Sequence, residues 1–484
     1  MRSLRLLLVL LLAGLSLPLI AQEPDRSKPP QLGPEPALVI PPIQHFTLSN
    51  GTPVFFVAKH QVPLVQINVL IKAGSVLDPA GKSGLATMTA DMLEEGAGKR
   101  NALELADAID FLGADISTSA TYHATGIMLH TPLSKLDSAL ALLSDIVLRP
   151  TFPQEELDRL RNERLTTLLQ WRDEPRAIAS VMFDRALYGP STPYGTPTLG
   201  NESSLKLFTV KDLKEFHAAY YHARNASIVV VGDITPEVIA EKLEGAFGAW
   251  KGDAVPAPPE PTMRQMQLTM VYLVDKPDAP QSEIRIGRIG AARSTKDFYA
   301  LQVMNTILGG SFTSRLNQNL REEHGYTYGA GSGFAFRTWP GPFVARSAVQ
   351  TAVTDKALAE FMKELTNIRT PVPNAELSRA ENYITLGYPE NFETVRQVSY
   401  QLNEMAQYDL PEDYFNTYTD HIREITQKDV QRVAEKYVDP SAMAVVVVGD
   451  RKTIEAGIEA LRLGPLTVLS IRDVLGPAPM IGGK

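Results

Sequence analysis

The sequence predicts an α+β protein made of two homologous domains, each a mainly antiparallel sheet with helices packed on it. The first observation is an internal repeat, because residues 209–233 and 426–450 both run from an amphipathic helix into a Val-rich strand ending in Gly-Asp. In each copy an aspartate precedes that final glycine by the same 20 residues. The other observation is that strand-like and helix-like segments do not alternate one for one, which argues against a doubly wound parallel sheet.

A Pro-rich stretch marks the boundary between the two copies. Residues 251–262, KGDAVPAPPEPT, predict an extended linker. The first domain is therefore predicted over 36–250 and the second over 263–470, with a surface tail over 471–484. A repeat of about 200 residues is a duplicated domain, since solenoid units are far shorter.

Residue patterning then predicts the elements of each domain. Runs rich in β-branched residues predict strands over Thr52–Val57, Leu64–Ile71, Leu268–Val274 and Glu283–Ile289. Apolar residues at helical spacing predict helices over Ala102–Leu112, Glu155–Trp171, Ala177–Leu187, Asp297–Leu308, Asp355–Thr366 and Asn374–Tyr383. A further helix is predicted after each repeat copy, over Pro236–Phe247 and Thr453–Leu461.

The first 35 residues are predicted to lie outside the fold. Arg2 and Arg5 precede an apolar run over Leu6–Ala21, and residues 22–35 are polar and Pro-rich, a layout typical of a secretory signal cleaved after Ala21. An uncleaved anchor is the alternative, but the run is short for a bilayer span. We therefore expect a protein secreted through the inner membrane into the periplasm, with no membrane span in the mature chain.

Composition excludes several kinds of site. The 484 residues include no cysteine, which rules out disulfides, cysteine nucleophiles and thiolate metal sites. A formal net charge of -8 leaves no basic excess to neutralise phosphates, so nucleic acid is not an expected partner. No pair among the eight histidines forms H-E-x-x-H or its inverse H-x-x-E-H, so both zinc motifs are absent.

The stretch 82–95, KSGLATMTADMLEE, predicts a helix with two distinct faces. One face is an apolar stripe, and the other places Thr87, Asp91 and Glu94 at positions i, i+4 and i+7. A small polar face on a helix whose other side is buried is either a solvated surface or the remnant of a site.

A second constellation lies over 308–334 in the second domain. A short helix there carries Arg321, and Tyr328 enters the next predicted strand. Both side chains donate hydrogen bonds, and two convergent donors suit a carbonyl oxygen that becomes an oxyanion. The competing interpretation is an arginine paired with a neighbouring glutamate and a tyrosine packed in the sheet.

The segment LNQNLREEHGYTYGAGS at 316–332 resembles the second-domain motif of the pitrilysin/insulinase family of zinc peptidases, which includes the mitochondrial processing peptidase. The resemblance covers nearly the whole mature chain, including residues 73–96 and YGPSTPYGTPTLG at 188–200. It implies two homologous α+β domains that together form half of a clam-shell chamber.

The same resemblance implies that the zinc helix of this chain is degenerate. Active relatives carry H-x-x-E-H after a G-K-S-G-like turn, and the corresponding residues here are Thr87, Ala90 and Asp91. Both imidazoles and the glutamate base are therefore missing, so we expect no metal site and no cofactor in this chain. A weak hard-ion site at Asp91 with Glu94 or Glu95 is the alternative.

The third zinc ligand of active relatives is missing as well. It is a glutamate on a later helix, and its position aligns with Thr166 or Thr167. Glu163 lies nearby but is out of register by about one helical turn.

In the second domain the motif departs less from the family pattern. The resemblance gives Tyr328 the role of donor to the tetrahedral oxyanion and Arg321 the role of holding the substrate carbonyl. Gly309 and Gly310 are then candidate substrate-binding positions, where a peptide backbone could approach closely.

These expectations combine into one functional hypothesis. The chain is predicted to be the non-zinc subunit of a heterodimer with a zinc-bearing subunit of the same family, with zinc in the partner and a peptide as substrate. The alternative is a structural or peptide-binding member with no catalytic contribution. A peptidase of other chemistry ranks last, because no nucleophile–base set is visible.

Overall fold

The computed structural model describes residues 40–479, which belong to one compact unit. The predicted signal peptide 1–21, the lead 22–35 and the last five residues of the tail lie outside the described residues. Between residues 40 and 479, no helix is long and apolar enough to cross a membrane.

Two six-stranded sheets form the framework. The strands of the first domain are β1 (Gln44–Thr47), β2 (Pro53–Ala58), β3 (Leu64–Ile71), β4 (Gly96–Ala97), β5 (Arg100–Asn101), β6 (Asp115–Ala120), β7 (Thr125–Pro132) and β8 (Ala226–Gly232). Those of the second are β9 (Met270–Asp275), β10 (Gln281–Ile289), β11 (Ala330–Phe334), β12 (Pro342–Gln350), β13 (Ala444–Gly449) and β14 (Leu466–Ser470). Strands β4 and β5 pair separately as a small ribbon.

The two sheets share one plan. Their strand orders are β1-β2-β8-β3-β7-β6 and β14-β9-β13-β10-β12-β11. In both, the second and third strands are parallel and the remaining inner pairs are antiparallel. The edge strands differ, because β1 is antiparallel to its neighbour while β14 is parallel to it. The predicted α+β fold with two homologous, mainly antiparallel domains is therefore confirmed.

The repeated Val-Val-Gly-Asp segments are the strands β8 and β13, and every residue of both is buried. Each is preceded by a helix whose first turn is closed by the same capping box. The Thr209 N–H donates to the Asp212 carboxylate at 2.9 Å, and the Thr426 N–H donates to that of Asp429 at 3.1 Å. The sequence repeat thus encodes both the buried strand and the helix start that precedes it.

Helices surround the sheets. Those of the first domain are α1 (Leu85–Asp91), α2 (Ala102–Phe111), α3 (Leu136–Leu148), α4 (Gln154–Gln170), α5 (Pro175–Tyr188), α6 (Glu202–Leu207), α7 (Val210–Tyr220) and α8 (Pro236–Phe247). Those of the second are α9 (Phe298–Asn305), α10 (Arg315–Asn317), α11 (Thr354–Asn367), α12 (Asn374–Gly387), α13 (Val395–Tyr408), α14 (Tyr414–Arg423), α15 (Gln427–Tyr437), α16 (Arg451–Ala460) and α17 (Ile471–Leu475). Residues 251–262, between α8 and β9, contain neither helix nor strand.

Each domain covers part of its neighbour's sheet with one helix. Helix α5 of the first domain packs on β10 and β13, and α13 of the second packs on β3 and β8. The side chains of Ile178, Met182 and Phe183 share a buried cluster with Val446 and Val448 of the second sheet. The two domains are therefore joined through their cores.

The end of the chain differs from the expected surface tail. Strand β14 joins the second sheet, and α17 follows it directly after a capping box between Ser470 and Asp473. Val474 is fully buried in the cluster that α5 builds on the second sheet. The expectation of a surface tail rests on the glycines and prolines of residues 471–484, and they do not reveal the short helix that precedes them.

The packing of α5 on the second sheet and of α13 on the first is termed the helix exchange. It predicts the effect of truncating Phe183 of α5, which is 2% exposed. We expect Phe183→Ala to lower the free energy of unfolding by about 3–5 kcal/mol, because it leaves a cavity between α5 and the second sheet. Urea denaturation followed by circular dichroism measures the change. The matched control is Phe111→Ala, since Phe111 is 84% exposed and its loss should change stability by less than about 0.5 kcal/mol. Equal effects of the two substitutions would contradict the exchange.

Candidate functional site

Helix α1 begins where the turn that ends at Gly84 packs closely against the turn over residues 198–200. Gly84, which precedes it, has φ of 90°, and a Cβ atom there would lie 2.7 Å from the Leu199 carbonyl oxygen. The Asp78 carboxylate accepts the N–H groups of Gly84 and Ala86, both at 2.7 Å. Burial raises the pKa of Asp78 to about 7, although the two N–H bonds act in the opposite direction. A glycine and a partly buried aspartate thus set the start of α1.

The side chains at the three motif positions lie in three different environments. The Thr87 hydroxyl donates to the Thr198 carbonyl at 2.7 Å. Ala90 is completely buried, and its own carbonyl accepts the hydroxyl of Thr118 at 2.8 Å. The Asp91 side chain is 41% exposed. These side chains offer one carboxylate, one hydroxyl already in use and one methyl group.

Arg164 of α4 lies between the first and last motif positions. Its guanidinium donates from Nη1 to Thr87 Oγ1 at 3.0 Å and from Nη2 to Asp91 Oδ2 at 2.5 Å. Nη1 also lies 3.2 Å from the Gly84 carbonyl and 3.4 Å from that of Leu199. The side chain is only 7% exposed. The sequence analysis missed Arg164, although it lies three residues before Thr167, on the same face of the helix.

The residues aligned with the third zinc ligand form hydrogen bonds within their own helix, α4. The hydroxyls of Thr166 and Thr167 donate to the carbonyls of Asn162 and Glu163 one turn earlier. The Glu163 side chain is 57% exposed and pairs with Arg159 at 2.7 Å.

The carboxylates of the suggested weak cation site have other partners. Thr118 bonds to Glu94, whose pKa is raised by burial, and Glu95 pairs with Arg159 at 2.6 Å. The third carboxylate is the one bonded to Arg164. Within residues 40–479 no group of three or more His, Asp or Glu side chains is arranged to hold a metal ion. The residues at this position do not fit zinc.

In the second domain, the candidate side chain of Arg321 is partly exposed and its ion pair with Glu322 is long. Arg321 lies in a π-helical turn over Gln318–Glu323, and its guanidinium carbon stacks 4.6 Å from the centre of the Phe312 ring. The Arg321 side chain is 36% exposed, and its Nε lies 3.5 Å from a Glu322 carboxylate oxygen. Such a long, exposed ion pair contributes little to stability, so the guanidinium is oriented mainly by the aromatic ring.

Tyr328 lies outside the sheet rather than in a strand. It is 93% exposed and precedes β11, which begins only at Ala330. Thr327 explains the difference, because its hydroxyl donates to the Ala348 carbonyl at 2.7 Å and accepts the Gly329 N–H at 3.1 Å. These side-chain bonds replace strand pairing just before β11. The expected strand position of Tyr328 is thus corrected, and its phenol is fully available to solvent.

The turn that links the two donors is itself well bonded. Gly325 takes φ of 64°, and its N–H donates to the Arg321 carbonyl at 3.1 Å. The Tyr326 N–H donates to the Leu320 carbonyl at 2.9 Å, and the Tyr326 ring stacks on that of His324. A permanently charged donor and a neutral donor are therefore carried on a bonded turn, which suits the stabilisation of an oxyanion.

At Gly309 and Gly310 the close approach is made by the chain itself. A Cβ atom on Gly309 would lie 2.3 Å from the Ser332 backbone nitrogen, and one on Gly310 would lie 2.7 Å from Asn305 Nδ2. Packing of a second π-helical turn, over Thr306–Gly310, against β11 thus accounts for Gly309, and contact with Asn305 of α9 accounts for Gly310. Their role in substrate binding stays a prediction.

Comparisons with known proteins agree with this architecture. Residues 54–200 match the family model described as insulinase (peptidase family M16), and residues 207–384 match the model described as peptidase M16 inactive domain. The uncharacterized zinc protease YmxG of Bacillus subtilis is 28% identical over 288 residues, 59% of this chain and 68% of that protein. The non-peptidase homolog YmxG of Helicobacter pylori is 22% identical over 408 residues, 83% of this chain and 92% of that protein.

A solved structure shows a similar fold. It is the crystal structure of a peptidase M16 inactive domain from Pseudomonas fluorescens, which superposes with a TM-score of 0.79 at 26% identity. The match covers 84% of this chain and 97% of that one.

The packing at Gly309 predicts a selective effect of an added methyl group. We expect Gly309→Ala to lower the free energy of unfolding by about 1–3 kcal/mol, because the new Cβ would overlap the backbone of β11. Thermal unfolding measures the change. Gly333→Ala is the matched control, since nothing lies within 4 Å of a Cβ atom at that position of β11. A Gly309→Ala protein as stable as the Gly333→Ala control would contradict the packing.

Proposed function

Because this chain belongs to the M16 insulinase family of peptidases, we propose that it is the non-zinc subunit of a heterodimeric metallopeptidase. Its partner is a zinc-bearing subunit of the same family, and its substrate is a peptide. We propose a periplasmic location for the complex, on the basis of the predicted signal peptide. This chain supplies Arg321 and Tyr328 to the catalytic centre of the partner.

The contrast between the two constellations carries the proposal. At the motif helix, Thr87, Ala90 and Asp91 offer no zinc ligand set, and Arg164 fills the space between them. In the second domain both donor side chains are present, and Tyr328 is 93% exposed. A donor pair that faces solvent, in a chain whose motif helix offers no zinc ligand set, is suited to a site completed by another subunit.

The chemistry of the donors suits peptide hydrolysis. Zinc in the partner supplies the activated water. Arg321 holds the carbonyl of the bound peptide through its guanidinium N–H groups. The Tyr328 phenol donates a hydrogen bond to the scissile carbonyl oxygen as negative charge develops there, and the phenol keeps its proton throughout. The bonded turn between the two residues limits the reorganisation that this step requires.

A non-catalytic role is the second candidate, and two observations favour it. Residues 207–384 match a model described as an inactive domain, and a relative over 83% of the chain is named a non-peptidase homolog. In that case the chain is a structural or peptide-binding subunit, and Arg321 and Tyr328 are surface residues without a role in turnover.

Reconstitution with a zinc-bearing family member distinguishes the two roles. We expect the pair to hydrolyse a fluorogenic peptide and this chain alone to show no zinc-dependent activity. Arg321→Ala and Tyr328→Phe should each lower kcat of the pair by about 10²–10³-fold, because the first removes the group that positions the peptide carbonyl and the second removes the donor to the oxyanion. The matched control is Tyr326→Phe, since that ring stacks on His324 in the same turn and should leave kcat unchanged.

Two results would contradict the catalytic proposal. One is full activity of the pair after Arg321→Ala and Tyr328→Phe are combined, provided that gel filtration shows the pair intact. The other is zinc-dependent hydrolysis by this chain alone at the rate of the pair.

A further inference from the structure

We propose that Arg164 takes the structural place of the metal in this chain: its guanidinium is the cation that joins α1 to α4, and it excludes a divalent ion from the site. The inference concerns the first domain alone and does not depend on the proposed heterodimer.

The guanidinium lies where two metal ligands would converge. Its two terminal nitrogens contact separate motif positions, Nη1 with Thr87 Oγ1 at 3.0 Å and Nη2 with Asp91 Oδ2 at 2.5 Å. These are the first and last positions of the helix face, one turn apart. A planar fork of donors can bridge two such positions at once, whereas a lysine ammonium is a single point charge.

The same side chain also gathers backbone acceptors from two turns. Nη1 lies 3.2 Å from the Gly84 carbonyl and 3.4 Å from the Leu199 carbonyl. Thr87 completes the junction by donating to the Thr198 carbonyl at 2.7 Å. Arg164 therefore connects three segments, which are α4, the start of α1 and the turn over 198–200.

The burial and the positive charge of Arg164 keep a divalent ion away from the motif helix. Arg164 is 7% exposed, its Nε is buried without a partner, and its charge is balanced by Asp91. A divalent ion placed between residues 87 and 91 would meet the guanidinium at contact distance in a part-buried region, where like charges repel strongly. The absence of histidines is thus only one of two barriers to metal binding at this helix.

A designed histidine pair separates the two barriers. Thr87→His with Asp91→His places two imidazoles at positions i and i+4 on one helix face, a spacing that binds zinc. We expect this double variant to bind zinc weakly, and the addition of Arg164→Met to tighten binding by at least about tenfold, as measured by isothermal titration calorimetry with zinc chloride. The matched control adds Arg161→Met instead, because Arg161 of the same helix donates to the carbonyls of Leu205 and Phe208, away from the motif.

Three outcomes would overturn the proposal. Equal zinc affinity with and without Arg164 would show that the guanidinium excludes nothing. Failure of both variants to bind zinc would show that something other than Arg164 prevents binding. Equal tightening by Arg161→Met would show that the effect is not specific to this site.

A second measurement on otherwise unchanged protein covers the case in which the histidine variants do not fold. Hydrogen exchange of the amides over 84–91 should be at least about tenfold faster in Arg164→Met than in the wild type, and unchanged in Arg161→Met. Arg164→Lys should not restore protection, because one ammonium group cannot bridge both positions. Wild-type exchange rates in Arg164→Met would overturn the structural part of the proposal.

Discussion

The exchange of helices between the two sheets is the constraint on which the rest of this structure depends. Helix α5 of the first domain lies on the second sheet, and α13 of the second lies on the first. Both helices follow directly after the helix that packs beside the motif region of their own domain, α4 in one case and α12 in the other. The carboxyl end of α4 is thus held by a helix buried in the opposite core. The position of Arg164 is therefore set by long-range packing as well as by its own hydrogen bonds.

The two arginines illustrate how one kind of side chain serves opposite purposes. Arg164 is buried, and both of its terminal nitrogens contact acceptors within the first domain. Arg321 is 36% exposed, and an aromatic ring orients it while leaving its donors accessible. A guanidinium whose terminal nitrogens both have acceptors within the domain contributes to the fold, whereas one held by stacking remains able to bind a substrate. This difference supports placing the functional site of the chain in its second domain.

The sequence predicted those features that depend on local pattern. The repeat located β8 and β13 and the amphipathic helices α7 and α15 before them, whose starts the structure closes with capping boxes. Features that depend on distant partners could not be predicted. Apolar spacing showed that α5 has a buried face but not that the opposite domain covers it. The Arg164–Asp91 bond joins residues 73 positions apart, and the bonds of Thr327 that keep Tyr328 out of the sheet reach to Ala348.

An arginine at position 164 suits the acceptor groups that lie beside a motif helix without zinc ligands. The Asp91 carboxylate takes the place of one lost imidazole, and the carbonyls of Gly84 and Leu199 lie at the same junction. An apolar residue would fill the volume but leave the Asp91 carboxylate without its charged partner, and an ammonium would reach fewer of the acceptors that Arg164 contacts. A guanidinium supplies both the positive charge and several donors in one rigid plane. A chain of this fold can therefore keep the geometry of its motif helix without a metal, provided that a side chain of this kind replaces the charge and the directional bonds together.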